Sequence, residues 1–275
     1  MTDNRTIRSV PPEPGVTKPD PVLVVDHVKR SFGGLQAVDV EHLEVQRHTV
    51  TSLIGPNGAG KTTLFNLLTG FDKPDSGSWR LDGGTLVGVP AFRVARRGMV
   101  RTFQLTRSLS RLTVMENLLL AAKGNPGESF VGSLTRWRWR GPEMANRERA
   151  TVLLQRYGLR DMADEYAGSL SGGQRKLLEM ARALMVEPEL IMLDEPMAGV
   201  NPALTQSLLK HITGLRDRGK TVVFIEHDMD VIQEISDWVV VMSQGKVIAE
   251  GPPSHIAANQ VVIDAYLGAH HGEVP

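Results

Sequence analysis

The chain has 275 residues, enough for one domain, or for one domain with a subdomain, that buries a substantial core. Lysine and arginine together number 31, as do aspartate and glutamate, and this balance gives no support for a nucleic-acid-binding surface. The sequence contains no cysteine, which excludes a disulfide framework and suits a reducing compartment.

The first residues differ from the rest in composition. Pro11, Pro12, Pro14, Pro19 and Pro21 lie among polar residues, as is typical of disordered segments. We therefore predict a disordered proline-rich tail over residues 1–21 and a folded domain over residues 22–275. No apolar run is long enough to cross a bilayer and the start has no signal-peptide pattern, so we expect any membrane role to depend on a partner protein.

Predicted strands and helices alternate along the folded part of the sequence. Strands are predicted at 22–25, 49–54, 190–194, 221–225, 238–242 and 246–250, with short strand-like pieces between 70 and 88. Helices are predicted at 63–68, from the capping box at Thr113 to 122, at 143–157, after Gly173, at 203–218 and at 228–235. This alternation indicates an α/β fold with a mostly parallel sheet, into which a helical subdomain at about 105–184 would be inserted.

A glycine-rich loop joins the strand at 49–54 to the helix at 63–68. Its residues are Gly55, Pro56, Asn57, Gly58, Ala59, Gly60, Lys61 and Thr62. Glycines let successive N–H groups point into one concavity, and the following helix adds the positive end of its dipole. Lys61 can then reach the β- and γ-phosphates of a nucleotide, Thr62 can ligate Mg²⁺, and Thr63 can add an α-phosphate contact. The alternative, a turn with an incidental lysine, is disfavoured by the complete motif in a strand–loop–helix context.

Two carboxylates end the apolar strand at 190–194. Asp194 and Glu195 would lie at the carboxyl edge of the sheet, beside the glycine-rich loop. We expect Asp194 to hold Mg²⁺, directly or through water, and Glu195 to orient and deprotonate an attacking water. Without the loop, the same residues would be read as a solvated turn.

A second candidate anion site opens a predicted helix. This serine-glycine motif consists of Ser171, Gly172, Gly173 and Gln174. Exposed amides at a helix N-terminus, together with the Ser171 hydroxyl, can bind an anion. A plain N-cap is the alternative, and one chain holding one ATP does not need two γ-phosphate sites.

The glycine-rich loop, the serine-glycine motif and the Asp194-Glu195 pair, in this order, resemble the ATP-binding-cassette (ABC) family. The resemblance implies a P-loop NTPase core with a mostly parallel sheet, an antiparallel β region and an inserted helical subdomain. It also implies that two subunits clamp Mg²⁺ and ATP head to tail, so that the serine-glycine motif of each faces the γ-phosphate bound by the other.

Further residues are assigned by the resemblance alone. Gln104 falls at the family's glutamine loop and would touch Mg²⁺ or the attacking water, and His227 falls at the switch histidine and would contact the γ-phosphate. Phe32 lies where the family stacks a ring on adenine, although a core aromatic is the alternative. Asn201 stands where many members have an aspartate, so the electrostatic role of that aspartate is not assigned to it.

A narrower resemblance, to the ATPase subunits of branched-chain amino acid importers, is carried by short stretches of sequence. These are Arg101-Thr102-Phe103-Gln104, Thr113-Val114-Met115-Glu116-Asn117-Leu118, Ala198-Gly199-Val200-Asn201-Pro202, Glu226-His227-Asp228-Met229 and Ala265-Tyr266-Leu267-Gly268. Lipopolysaccharide-export and urea-importer ATPases look similar, so the solute stays open. The resemblance implies transmembrane permease subunits and a second ABC ATPase subunit as partners. It places the chain at the cytoplasmic face of the cell membrane, without direct contact with nucleic acid or with the transported solute.

Two other classes of protein stay open as alternatives. One is a non-transport ABC ATPase acting in DNA repair or on the ribosome, which the single cassette and the lack of sustained heptads disfavour. The other is a regulatory nucleotide-binding module that does not hydrolyse, which Glu195 and His227 disfavour. The run Arg136-Trp137-Arg138-Trp139-Arg140 could meet lipid headgroups, a partner or nucleic acid, or be a solvated segment whose tryptophans pack locally.

Overall fold

A computed structural model describes residues 7–102, 109–122 and 140–270. Its main sheet has six strands in the order β10-β9-β3-β8-β7-β6. Neighbouring strands run parallel except for the antiparallel pair of β9 and β10. The strands are β3 (Val50–Ile54), β6 (Met99–Arg101), β7 (Leu190–Asp194), β8 (Thr221–Ile225), β9 (Trp238–Ser243) and β10 (Lys246–Gly251). The predicted α/β fold with a mostly parallel sheet is confirmed.

A second sheet is antiparallel and has four strands in the order β2-β1-β4-β5. They are β1 (Pro21–Phe32), β2 (Leu35–Gln46), β4 (Ser76–Leu81) and β5 (Gly84–Thr85). This sheet is the expected antiparallel β region. The predictions missed β2, together with the short β6.

The helices connect and cover these strands. Those between the strands of the two sheets are α1 (Lys61–Leu68), α2 (Ala91–Arg96), α3 (Val114–Ala121), α4 (Arg140–Arg156), α5 (Gly172–Leu184), α6 (Pro202–Asp217) and α7 (Met229–Ile235). After β10 follow α8 (Pro253–Ala257) and α9 (Gln260–His270), and short 3-10 turns occur at Ile7–Ser9, Arg160–Met162 and Ala167–Ser169. The predictions missed α2, α8 and α9. Across the described residues, none of the helices has both the length and the apolarity needed to span a bilayer.

The parallel sheet separates two apolar cores. In β8, Val222 and Phe224 belong to one core, whereas Val223 and Ile225 belong to the other. Helices α3 to α7 contribute to the first core, and α1 and the antiparallel sheet contribute to the second. Burial on both faces explains why β7 and β8 are nearly continuous apolar runs rather than alternating ones, and β3 is buried throughout although it contains Thr51 and Ser52.

Helices α3, α4 and α5 pack on one another within the predicted helical subdomain. Leu118, Leu154 and Leu178, one from each helix, are fully buried in the first core. Thr113 and Glu116 form the predicted capping box at the start of α3. The boundaries of the subdomain, 105–184, stay a prediction because residues 103–108 and 123–139 lie outside the described ones.

Residues 7–20 pack against the folded domain, which differs from the expected disordered tail. The side chains of Ile7 and Val10 are buried in the second core. Lys18 forms an ion pair with Glu250 of β10, with 2.7 Å between Nζ and Oε2, and both side chains are almost fully buried. The prolines suggested disorder, but these apolar and charged side chains find partners far along the chain.

Candidate active site

Three loops meet at one edge of the main sheet because β3, β8 and β7 are adjacent and parallel. In the strand register, Leu53 and Asp194 both lie opposite Ile225. The glycine-rich loop, Glu195 and His227 therefore leave their strands at the same edge, as the sequence predicts. In open α/β sheets this edge is where ligands bind.

Two glycines of the glycine-rich loop allow close backbone approach. A Cβ atom added to Gly55 would lie 2.0 Å from the Met242 carbonyl oxygen, and one added to Gly60 would lie 2.2 Å from the Ala37 carbonyl oxygen. Gly60 is also the N-cap of α1, with a φ of 98°. Side chains are thus excluded at both positions by distant strands as well as by backbone conformation.

Lys61 is the first residue of α1 and folds back over the loop. Its ammonium group donates to the carbonyl oxygens of Gly55 and Pro56, at 2.7 and 2.9 Å. Burial lowers the pKa of Lys61, while the carboxylates of Glu195 and Asp194 act in the opposite direction. The structure therefore brings Lys61 and both predicted carboxylates together, with Thr62 exposed and Thr63 half-buried in the first turn of the helix.

Asp194 is buried at the end of β7 and is only partly paired. Its Oδ2 accepts from Arg101 Nη2 at 2.5 Å, and Arg101 Nη1 donates to Asn66 Oδ1 at 2.5 Å. Its Oδ1 is buried without a hydrogen-bond partner among the described residues. A carboxylate oxygen that is unpartnered among these residues and lies near Lys61 fits a Mg²⁺ site, because hard cations prefer oxygen ligands.

Glu195 has a left-handed backbone, with a φ of 46°. Non-glycine residues adopt this conformation at a cost, and such strain clusters at functional sites. Its N–H donates to the Ile225 carbonyl oxygen at 3.1 Å, which ties the residue to β8. The turn directs the chain away from the sheet immediately after Asp194, so the two neighbouring carboxylates have different environments: one is buried and the other half-buried.

His227 follows β8 and its side chain is 71% exposed. The preceding Glu226 is 2% exposed. Glu226 Oε1 accepts from the N–H of Met197 at 3.0 Å, and Oε2 accepts from the N–H of His227 at 3.3 Å. Burial raises the pKa of Glu226, opposed by these two backbone hydrogen bonds. The backbone of His227 is therefore held while its ring stays accessible.

The serine-glycine motif forms the first turn of α5. The Ser171 hydroxyl accepts from the N–H of Gln174 at 3.3 Å, and the Gln174 side chain accepts from the N–H of Ser171 at 2.9 Å. Ser171 and Gly172 are exposed, and Gly173 and Gln174 are half-buried. The N-cap alternative is thus realised, and contact with a γ-phosphate of a second subunit stays a prediction.

The remaining predicted residues are placed less tightly. Phe32 ends β1 and is 49% exposed. The centroid of its ring lies 4.5 Å from the guanidinium carbon of Arg30. Its proposed adenine contact stays a prediction, although its exposure argues against a core role. Gln104, assigned to Mg²⁺ or the attacking water, lies outside the described residues, as do Trp137 and Trp139 of the Arg-Trp run.

Sequence reasoning missed three residues that support the site. Arg101 pairs with Asp194, and Lys176 of α5 donates to the loop after Glu195. Glu226 accepts from the backbone N–H groups of Met197 and His227, which follow β7 and β8. Arg101 and Glu226 occur inside motifs that carried the resemblance, but no sequence signal identified their partners. Lys176, two residues after Gln174, had no signal of its own.

Comparison with known proteins identifies the family of this chain. A family model described as "ABC transporter" matches residues 38–198, and one described as "Branched-chain amino acid ATP-binding cassette transporter" matches residues 246–272. The high-affinity branched-chain amino acid transport ATP-binding proteins BraF of Pseudomonas aeruginosa and LivG of Escherichia coli are each 44% identical over 250 residues, covering 90% of this chain and 98% of theirs.

A solved structure of an ATP-binding cassette of an ABC transporter, in its ADP conformation, shares the fold. Its TM-score is 0.78 at 37% identity, covering 90% of this chain and 99% of that one. The sequence matches and the fold both extend well beyond the motifs at the sheet edge. The chain therefore belongs to the ABC transporter family, within its branched-chain amino acid ATP-binding cassettes.

Proposed function

We propose that this chain is the ATP-hydrolysing subunit of a branched-chain amino acid importer. The observation that carries the proposal is the meeting of Lys61, Asp194 and Glu195 at the carboxyl edge of the parallel sheet. The resemblance of the whole chain to branched-chain amino acid transport ATP-binding proteins supports the choice of solute.

In the proposed reaction, the amides of the glycine-rich loop and Lys61 bind the phosphates of ATP. To reach them, the Lys61 ammonium exchanges its contacts with the Gly55 and Pro56 carbonyls for phosphate oxygens. Thr62, Asp194 and Gln104 would hold Mg²⁺, which when bound neutralises charge on the β- and γ-phosphates. The Oδ1 of Asp194, which no other described residue binds, supports the assignment of Asp194.

Glu195 would accept the proton of the water that attacks the γ-phosphorus. The bond from that phosphorus to the oxygen of ADP breaks, giving ADP and inorganic phosphate. His227, whose ring is accessible and whose backbone is held by Glu226, would contact the γ-phosphate and position the water. The electrostatic interaction of the Glu195 carboxylate with Lys61 supports this role, because Lys61 belongs to the phosphate-binding loop.

We infer that the working assembly contains transmembrane permease subunits and two ATP-binding subunits. The ATP-binding subunits would lie at the cytoplasmic face of the membrane. The exposed Ser171 and Gly172 at the start of α5 suit contact with ATP bound by a second subunit, identical or homologous. Closure on ATP and opening after hydrolysis would drive the permeases between access states.

The substitution Glu195→Gln tests the hydrolytic role. It removes the base but preserves the phosphate-binding loop, so we expect phosphate release to fall by at least about 100-fold while ATP still binds. Phosphate release and equilibrium ATP binding by purified protein measure the two effects. Near-normal turnover by this variant would remove Glu195 from the role of base.

Uptake measurements in the source cells test the solute. Deletion of the gene should lower uptake of radiolabelled leucine and leave urea uptake unchanged. The wild-type chain should restore leucine uptake and Glu195→Gln should not. If the deletion lowers urea uptake instead of leucine uptake, or lowers neither, the branched-chain amino acid assignment is rejected. Neither outcome affects the ATPase assignment.

A further inference from the structure

The loop that follows Glu195 is held by side chains from two other elements. This loop, residues 196–200, leads from β7 into α6 and includes Gly199 with a φ of 68°. Within it, the N–H of Ala198 donates to the Glu195 carbonyl oxygen at 3.1 Å, and the N–H of Val200 donates to that of Met197 at 3.2 Å. The position of Glu195 is therefore coupled to the conformation of the loop.

Lys176 holds this loop from α5. Its ammonium group donates to the carbonyl oxygen of Pro196 at 2.8 Å and to that of Ala198 at 2.6 Å. Burial lowers the pKa of Lys176, while the carboxylates of Glu226, Glu179 and Glu195 act in the opposite direction. Two short charge-assisted hydrogen bonds to alternate residues of one turn fix its backbone more firmly than neutral bonds would.

Glu226, the residue that follows β8, holds the same turn. It accepts from the N–H of Met197, the residue between the two carbonyls that Lys176 binds. Lys176 thus binds carbonyl groups, and Glu226 binds an amide, of three consecutive residues. The turn is thus held by an ammonium group that donates to its carbonyl oxygens and by a carboxylate that accepts from its N–H.

Helix α5 contacts both the start of the loop that follows Glu195 and the helix α6 to which the loop leads. Lys176 lies two residues after Gln174 and binds the start of the loop, while Gly173 packs against Leu204 in the first turn of α6. A Cβ atom added to Gly173 would lie 1.8 Å from Leu204 Cδ2. A displacement of the N-terminus of α5 would therefore be transmitted to the loop through Lys176 at its start and through Leu204 of α6 beyond its end.

We propose that Lys176 is a positioning residue for hydrolysis, which aims Glu195 by clamping residues 196–198 to the helix of the serine-glycine motif. The inference rests on the proposed function and deepens it. In the proposed assembly, the serine-glycine motif of one subunit contacts the ATP bound by the other subunit. Through Lys176, that contact would affect the position of Glu195 in the subunit that carries the motif.

The test compares Lys176→Met with Lys176→Arg and with Lys210→Met, an exposed lysine of α6. We expect Lys176→Met to lower kcat about 10–100-fold, because misplacement of a catalytic group by about 1 Å has effects of this size. Its affinity for Mg²⁺-ADP, measured by titration calorimetry, should stay within about twofold, since Lys176 does not belong to the phosphate loop. Lys176→Arg keeps the positive charge and enough N–H donors for two carbonyl oxygens, so it should recover most of the turnover.

Hydrogen–deuterium exchange without nucleotide supplies a second readout. The peptide spanning 195–200 should exchange faster in Lys176→Met than in Lys210→Met, while peptides of β7 and β8 remain protected. Equal kcat values for these two variants, unchanged exchange at 195–200, or a failure of arginine to restore turnover would each overturn the proposal. If the unmodified chain does not hydrolyse ATP, the ATPase assignment fails instead, and the exchange comparison still decides the clamp.

Discussion

Asp194 combines a buried ion pair with a carboxylate oxygen that has no hydrogen-bond partner in the described part of the chain. Arg101 compensates the charge through Oδ2, and the side chains of Arg101 and Asp194 are only 4% and 3% exposed. Removing one partner of a buried pair leaves an uncompensated charge, which costs more than removing both. This pairing lets the carboxylate stay buried before a metal arrives, while Oδ1 remains able to bind one.

The pair predicts non-additive stability changes. Arg101→Met should lower the free energy of unfolding by about 3 kcal/mol, because Asp194 then stays buried without its main partner. Adding Asp194→Asn to that variant should recover part of the loss, with a coupling energy of about 1 kcal/mol or more. Urea unfolding of the two single variants and the double variant measures the cycle, and additive losses would contradict the pairing.

The glycine-rich loop is shaped by strands that are remote in sequence. Gly60 approaches Ala37 of β2, whereas a Cβ atom added to Gly58, which has a φ of 78°, would have no neighbour within 4 Å among residues 7–102, 109–122 and 140–270. Both glycines have a left-handed backbone, but only Gly60 also excludes a side chain sterically. The two positions therefore separate backbone strain from steric exclusion within one element.

Gly60→Ala and Gly58→Ala form a matched pair. Gly58→Ala should destabilise the protein by about 1–2 kcal/mol, the cost of a left-handed backbone. Gly60→Ala adds a collision with a backbone carbonyl and should cost about 2–5 kcal/mol in all. Thermal and urea unfolding without nucleotide measure stability apart from ATP binding, and equal losses would show that the Ala37 contact is unimportant.

At the scale of the whole molecule, residues 7–20 connect the two sheets. The N–H of Lys18 donates to Glu44 of β2 at 2.5 Å, and its ammonium pairs with Glu250 of β10 and lies 4.5 Å from the Trp238 ring centroid. Glu250 also accepts from the Trp238 indole N–H at 2.8 Å and from the N–H of Gly15 at 2.6 Å. Each sheet thus contributes a carboxylate to the attachment of this segment.

Deletion of residues 1–20 should therefore destabilise the chain. Glu250 would lose Lys18 and Gly15 while staying beside Trp238, and we expect Tm to fall by about 6–12 °C, equivalent to about 3 kcal/mol. Deletion of residues 1–6 is the control, because it removes none of these contacts. Calorimetric unfolding that does not distinguish the two deletions would contradict the role of the segment.

Elements and motifs dominated by local pattern could be predicted well. The strands at 190–194 and 221–225 match the structure residue for residue, because strands buried on both faces are continuous apolar runs. By contrast, β2 was missed because Asp39, Glu41 and His42 interrupt its apolar residues. That strand belongs to an antiparallel sheet with one partly exposed face, so its polar residues do not break it.

The sequence by itself determined the mostly parallel α/β core and the glycine-rich loop, and it predicted that Lys61, Asp194 and Glu195 lie together at one edge of the sheet. These features depend on neighbouring residues, whose spacing is visible along the chain. Only the tertiary structure decided that Asp194 pairs with Arg101, 93 residues away, and that Lys18 pairs with Glu250, 232 residues away. Strand order and loop packing bring such residues together, and no local periodicity records which buried charge will meet which partner.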